Sequence, residues 1–317
     1  MRFLIVPITL CTLFLNSCSK NNKDSSGQPL TDLQNIQYAT APDTNGVQQV
    51  LLMDIYFPTG AVTSGKYPLV LFIHGGAFVD GQKEDMANHC RILADSGFVA
   101  ATINYRLGWR NGTNKCEGDT ASKRLAAYRA IQDANAALRY LVSKAGEYAI
   151  DTSHIFIGGS SAGSGTALLT TYFTDGVAQQ LASTERTALG PVNTSGNTLT
   201  NPFTIKGIAN LWGALPDSNL ISAATAKPMI SFHGTSDGVV PYDFGRSGGC
   251  ANYSMEYGSV CLSRRLYAVN VPCILHLKQG AGHGPDLYNA AYTMSRTVPF
   301  FKMVISGAAI TSKLYMD

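Results

Sequence analysis

A β-branched and aromatic run, His154-Ile155-Phe156-Ile157, breaks off into Gly158-Gly159-Ser160-Ser161-Ala162-Gly163, and a helix-compatible stretch, Thr166-Ala167-Leu168-Leu169, follows at once. Inside the break stands Gly159-x-Ser161-x-Gly163, the spacing of a serine held on a sharp strand-to-helix turn. A serine there must adopt strained backbone angles, and only residues as small as glycine fit two positions to either side. The turn lifts the hydroxyl clear of a sheet, as a nucleophile, and points a helix N-terminus at it. The amide of Ala162 then becomes one donor to a developing oxyanion. Ser160 also has small neighbours, Gly158 and Ala162; Ser161 is preferred because both its flanks are glycine. In a chain with 31 glycines, a turn of this composition without chemistry is the alternative, so the pattern needs partners.

Partners are present, each just past an apolar run. Pro68–Ile73 is followed by His74-Gly75-Gly76-Ala77-Phe78, where small residues let the chain turn so that the amides of Gly76 and Ala77 face the same point as that of Ala162. Each well-aimed donor is worth about 3–4 kcal/mol to a transition state. Pro228–Phe232 leads into His233-Gly234-Thr235-Ser236-Asp237, whose carboxylate is placed to accept an imidazole Nδ1–H and fix its tautomer. Val271–Leu277 leads into Gly280-Ala281-Gly282-His283-Gly284, a loop with no packing need for a histidine. An unperturbed imidazole, pKa about 6.5, suits a general base near neutrality. Competing assignments are weaker. Asp217 also follows a strand and is the alternative acid, and His233 reads as a residue that orders its turn. His276 reads as a core or edge histidine, and Asp133 as structural, paired with Arg129 at i+4. No His or Cys pair has metal-ligand spacing, so neither a metal nor a cofactor is expected.

The elements that must position these groups alternate. Strands are expected at 50–57, 68–73, 98–105, up to Ser160, 205–211, 228–232 and 271–277. Helices are expected at 84–96, 122–145, after Ser161, and at 286–306. Near-continuous apolar strands separated by helices imply an α/β chain: a mostly parallel central sheet flanked by helices on both faces. In such sheets function gathers at the carboxyl ends of the strands, where every motif above sits.

Taken together, Gly159-x-Ser161-x-Gly163, His74-Gly-Gly-Ala-Phe78, Tyr105-Arg106, Asp237-Gly-Val-Val-Pro241 and Gly282-His283 resemble the α/β-hydrolase superfamily. The likeness is to the bacterial esterase/lipase group related to hormone-sensitive lipase and type B carboxylesterases, over roughly residues 45 to 305. The resemblance implies Ser161 as nucleophile, His283 as base, Asp237 as its orienter, and the amides of Gly76, Ala77 and Ala162 as oxyanion hole. Two departures are Ala77 at the end of the donor motif, which still offers its amide, and Ser160 where many relatives carry an acid. The implied activity is hydrolysis of short-chain or aromatic carboxylic esters, acyl groups on polysaccharides included, through an acyl-enzyme. Phe78 and Trp212, with Trp109 and Tyr242, follow strand ends and are expected to line the substrate pocket. The Thr/Ser/Asn-rich segment 173–206 lacks the amphipathic lid of an interfacial lipase. A serine exopeptidase of the prolyl-oligopeptidase kind is one alternative, though the chain has no room for that family's preceding β-propeller. A non-catalytic binding protein on the same fold is the other.

Totals set the remaining bounds. At 317 residues, 45% hydrophobic and formal net charge +3, the chain has no run of five like charges, and nucleic acid is not an expected partner. Residues 1–18 have one positive charge before a short apolar run, a secretory leader. Its end, Leu15-Asn16-Ser17-Cys18, resembles the lipobox of bacterial lipoproteins, with Cys18 lipidated; a plain signal peptide is the alternative. Residues 19–30 read as a flexible tether and 31–317 as a single catalytic domain. The expected protein is thus exported and lipid-anchored at a bacterial membrane, otherwise secreted, with its oligomeric state open. Cys250 and Cys261 flank a Gly/Asn/Ser-rich loop and could bridge locally, Cys90 and Cys116 could form a second bridge, and Cys273 reads as a buried thiol; five reduced thiols are the alternative, and the pairing stays open.

Overall fold

Every residue of Leu69–Ile73 is buried, and alternate side chains serve opposite faces: Leu69, Leu71 and Ile73 join one apolar layer, Val70 and Phe72 the other. The same division separates Ile155 and Ile157 from Phe156. A strand buried on both sides keeps its period of two yet reads as an unbroken apolar run. Burying each such side chain is worth about 1.5–3 kcal/mol.

The computed structural model describes residues 27–284 and 288–317. The leader, Cys18 and the tether up to residue 26 lie outside the described residues. Its remainder is not loose. Gly27 and Gln28 donate to Ser64 Oγ and Thr63 Oγ1 at 3.0 and 2.9 Å, and Leu30 donates to the Ala61 carbonyl. Residues 27–30 are thus tied to 61–64 by hydrogen bonds to side-chain and backbone oxygens.

In chain order the first elements are β1 (Leu33–Pro42), β2 (Gln48–Tyr56), β3 (Tyr67–Ile73), α1 (Ala87–Asp95), β4 (Val99–Ile103) and α2 (Thr120–Ser143). Next come β5 (Ile150–Ser160), α3 (Ala162–Tyr172), α4 (Asp175–Leu181), α5 (Ser183–Leu189), β6 (Ile205–Leu211) and β7 (Met229–Gly234). The chain closes with β8 (Phe244–Arg246), β9 (Met255–Tyr257), α6 (Ser259–Ala268), β10 (Cys273–Lys278), α7 (Ala290–Ser306) and β11 (Lys313–Met316). Nine strands form one sheet in the order β1-β2-β4-β3-β5-β6-β7-β10-β11; β2 is antiparallel to both its neighbours, and the pairs from β4 to β11 are parallel. Helices α2, α3 and α6 cover one face and α1 and α7 the other. The expected α/β architecture is the observed one. Asp119 caps α2, its carboxylate accepting from the Ala121 amide at 2.9 Å, which starts the helix two residues before the alanine spacing alone marks it.

Two pairings differ from expectation. Asp133 meets Arg106, not Arg129: Arg106 Nη2 lies 2.7 Å from Asp133 Oδ1 and the Arg106 amide 2.7 Å from Oδ2. The strand exit after β4 brings Arg106 over α2, and both side chains are buried, so the long-range pair replaces the helical one. The disulfide is Cys116–Cys250, with Cα atoms 5.2 Å apart, while Cys90, Cys261 and Cys273 are free. Cys261 belongs to α6 and donates to Asp243, whereas Cys250 turns toward the loop after β4. Cys273 is a buried thiol, as expected.

Candidate active site

Ser161 stands between the last residue of β5 and the first of α3 with φ 53° and ψ −121°. Left-handed backbone of this kind costs a non-glycine residue about 1–3 kcal/mol, and it persists only where the surroundings impose it. Here the surroundings are glycine-shaped. A Cβ on Gly163 would lie 2.2 Å from the carbonyl oxygens of both Ile73 and His74, and one on Gly159 would lie 2.6 Å from the Ile73 oxygen. The elbow is thus pressed onto the end of β3 with no space for a methyl group. Ser160 ends the strand as a buried residue; Ser161 is the one lifted out.

The imidazole and carboxylate arrive from the next strand ends along the same sheet edge. His283 Nε2 is 2.8 Å from Ser161 Oγ, and His283 Nδ1 is 2.7 Å from Asp237 Oδ2. Three groups separated by 76 and 46 residues along the chain are joined in one hydrogen-bonded line. Their loops are laced together: the Ser236 amide donates to the Ala281 carbonyl at 2.9 Å, and the Gly280 amide to Thr235 Oγ1 at 2.8 Å. Gly234 is required by that lacing, since a Cβ there would sit 2.2 Å from the Ala281 oxygen.

Asp237 is fully buried, and its Oδ1 accepts the amides of Val239 and Val240 at 2.8 and 2.9 Å. Burial pushes this carboxyl up, but hydrogen bonds from His233 and His283, the His283 charge and the Val239 amide outweigh it and hold the group well below the usual carboxylate range. It stays an anion able to steady an imidazolium. Asp217, the competing acid, instead caps a short 3-10 turn by accepting from the Asn219 amide at 2.8 Å.

The His74–Phe78 turn lies directly against the elbow, for a Cβ on Gly75 would be 3.2 Å from Ser161 Cβ. Gly76, Ala77 and Phe78 all have positive φ, at 100°, 52° and 62°. Ala77, Phe78, Ser161 and Trp212 are four of the eight non-glycine residues with positive φ among the described residues, so backbone strain collects at this edge. Among the described residues no backbone hydrogen bond engages the amides of Gly76 or Ala77, and the Ala162 amide is one of the open first-turn donors of α3. His74 braces the turn: its ring stacks on Tyr105 at 4.3 Å, and the Tyr105 hydroxyl donates to the carbonyls of His74 and Gly75. Burial pushes the His74 imidazole below its ordinary value.

Phe78 and Trp212 both sit at this edge among buried side chains. Both are core residues, 7% and 4% exposed, with Phe78 edge-on to Tyr105 and Trp212 edge-on to His283 at 6.4 Å. Left-handed backbone at each turns the side chain back into the layer beneath the strand end. Trp109 has its Nε1–H on the Asp119 carbonyl, and with Tyr253 it packs against the Lys123 ammonium. The residues that composition did not single out are Asn210, Ser164 and Ser259, a buried polar set behind Asp237. Asn210 was visible as a polar residue in an otherwise apolar strand end.

A family model described as BD-FAE matches residues 53–215, just over half the chain, including the donor turn and the elbow. The chain belongs to the BD-FAE family. Asp237 and His283 lie beyond the span matched to the BD-FAE model. Neuroligin-2 of Rattus norvegicus is 28% identical over 182 residues, 51% of this chain and 21% of that protein. The BD-FAE chain therefore spans about a fifth of the length of the curated relatives it matches first. Among solved structures, a thermophilic esterase of the planctomycete Thermogutta terrifontis superposes with TM-score 0.59 at 18% identity, covering 87% of this chain and 93% of that one. A truncated carbohydrate esterase from gut microbiota superposes with TM-score 0.59 at 21% identity, covering 90% and 98%. The fold of this BD-FAE member is the α/β-hydrolase fold.

Proposed function

We propose that this protein is a serine carboxylesterase. The observation that carries the reading is the line Ser161 Oγ, His283, Asp237, with 2.8 and 2.7 Å links at one sheet edge. Ser161 attacks the ester carbonyl while His283 Nε2 takes its proton, and Asp237 steadies the imidazolium. Charge on the carbonyl oxygen falls to the amides of Gly76, Ala77 and Ala162. His283 then returns the proton to the leaving alcohol, and water activated by the same imidazole hydrolyses the acyl-enzyme. Short-chain and aromatic esters are the proposed substrate class. The similarity to a carbohydrate esterase supports acyl groups on polysaccharides as natural substrates.

Side-by-side assays with p-nitrophenyl acetate and an aminoacyl-p-nitroanilide test the class. Release from the acetate alone is expected; cleavage of the anilide alone transfers the reading to an exopeptidase, and inertness toward both makes the fold a binding scaffold. Acetylated and feruloylated sugars, assayed beside simple acyl esters, then test the substrate. Export with lipidation at Cys18 is part of the same proposal, and incorporation of a labelled lipid precursor is expected to vanish in Cys18→Ala.

A further inference from the structure

Behind Asp237 lies a second imidazole that the reaction as described does not use. His233, at the end of β7, is fully buried, and its Nε2 is 3.2 Å from Asp237 Oδ2 and 3.2 Å from the Val240 carbonyl. Its Nδ1 is 2.7 Å from Ser259 Oγ, the first residue of α6. Ser259 Oγ is in turn 3.0 Å from Asn210 Nδ2, while Asn210 Oδ1 accepts from Ser164 Oγ at 2.6 Å and from the Gly213 amide at 3.0 Å. Ser164 is on α3, three residues after the nucleophile.

The proton directions in this chain can be read from its fixed donors and acceptors. The Gly213 amide can only donate, so the Asn210 atom facing it is oxygen and the NH2 faces Ser259 and Ser231. Ser259 Oγ accepts that N–H, which leaves its own proton available to His233 Nδ1. The remaining imidazole proton sits on Nε2, where both neighbours, the Asp237 carboxylate and the Val240 carbonyl, are acceptors. A neutral ring with its proton on Nε2 satisfies all of these at once.

We infer that His233 is a positioning residue for the reaction: a neutral, Nε2-protonated imidazole that gives Asp237 Oδ2 a second donor and is itself oriented from the elbow helix through Ser164, Asn210 and Ser259. The inference rests on the serine-esterase reading. The titratable groups facing Asp237 are His233 on β7 and His283 on the loop after β10, and the two histidines share one carboxylate oxygen. A donor from His233 spreads the carboxylate charge, so Asp237 pulls less strongly on the His283 proton, and losing that donor should strengthen the pull. The same donor holds Oδ2 in the plane where His283 Nδ1 meets it.

Two measurements on the full chain test this, one independent of turnover. In protein carrying 15N-histidine, the ring whose signals vanish in His233→Gln is expected to show its proton on Nε2 and an accepting Nδ1. Ser259→Ala is expected to shift that Nδ1 signal and leave the Nε2 proton in place. A proton on Nδ1, or an Nδ1 signal indifferent to Ser259→Ala, overturns the assignment even if the protein hydrolyses nothing. In the pH profile of kcat/KM for p-nitrophenyl acetate, His233→Phe is expected to move the acidic midpoint upward by about one unit, the size of one hydrogen bond to a charged group. His233→Gln, whose Nε2–H can take the place of the ring donor, is expected to return the midpoint toward wild type. A wild-type midpoint in a folded His233→Phe protein, or equal shifts in both variants, leaves His233 a packing residue only. An inactive wild type with the expected nitrogen signals refutes the esterase reading and leaves the donor chain standing. Should His233→Phe fail to fold, the Ser259→Ala spectrum decides.

Discussion

The elbow and the rim that frames it are built on opposite plans. Around Ser161 the shape follows from residues within a few positions of it, pressed onto the end of β3 so tightly that Gly159 and Gly163 admit no side chain. The rim joins two loops far apart in sequence. The loop after β4 backs the donor turn, since the amides of Gly108 and Trp109 donate to the Phe78 carbonyl; the segment after Asp237 includes the β8–β9 hairpin. These loops meet through Cys116–Cys250, a hydrogen bond from the Gly118 amide to the Tyr253 hydroxyl and another from Asn252 to the Cys116 carbonyl, and Lys123 in the first turn of α2 pairs with Glu256 beside them. At the elbow one contact in the wrong place forbids the geometry. In the rim, by contrast, several separable cross-links share the task. Chemistry should therefore be lost by single changes at the elbow line, and only stability by changes in the rim.

The largest expected effect is at the proposed nucleophile. Ser161→Ala should lower kcat on the order of 10⁶-fold, while Ser160→Ala keeps most of the turnover; equal losses in both would mean the strand end, not the elbow, holds the reacting hydroxyl. Next is the carboxylate. Asp237→Asn should cost about 10⁴-fold by offering His283 the wrong partner, whereas Asp217→Asn should leave steady-state kinetics near wild type because Asp217 serves its own turn.

The rim comes third. Closing a loop of sequence separation 134 is worth about 5 kcal/mol on the chain-entropy model. The double variant Cys116→Ser/Cys250→Ser should lower the urea midpoint accordingly, yet retain kcat within a few-fold under native conditions. A tenfold drop in kcat with no change in midpoint would erase the contrast between the two regions. The smallest effect concerns acid. Asp237 is held below its ordinary value in the folded state, so its contribution to stability is fully present above the unfolded carboxylate pKa, about 3.9, and fades as pH falls through the folded value. Acid unfolding curves of wild type and Asp237→Asn should accordingly converge toward low pH and separate above about pH 4.

What the amino-acid sequence settled unaided was whatever is governed by near neighbours. The double-sided strands were legible as unbroken apolar runs, the elbow as glycines two positions from a serine, and the proposed acid and base as residues just past strand ends in the order Ser161, Asp237, His283. Parallel β/α packing sends every such strand end to one edge, so their convergence followed. Edge strands β1 and β11 escaped notice because β1 is only partly buried and every residue of β11 is exposed, and α6 because its apolar stripe is little more than Leu262 and Leu266. Only the tertiary structure decided which distant groups meet: Cys116 with Cys250, Arg106 with Asp133, and His233 with Ser259. Those pairings depend on the paths loops take between elements, and a loop's path is set by what it packs against, which no local pattern along the chain encodes.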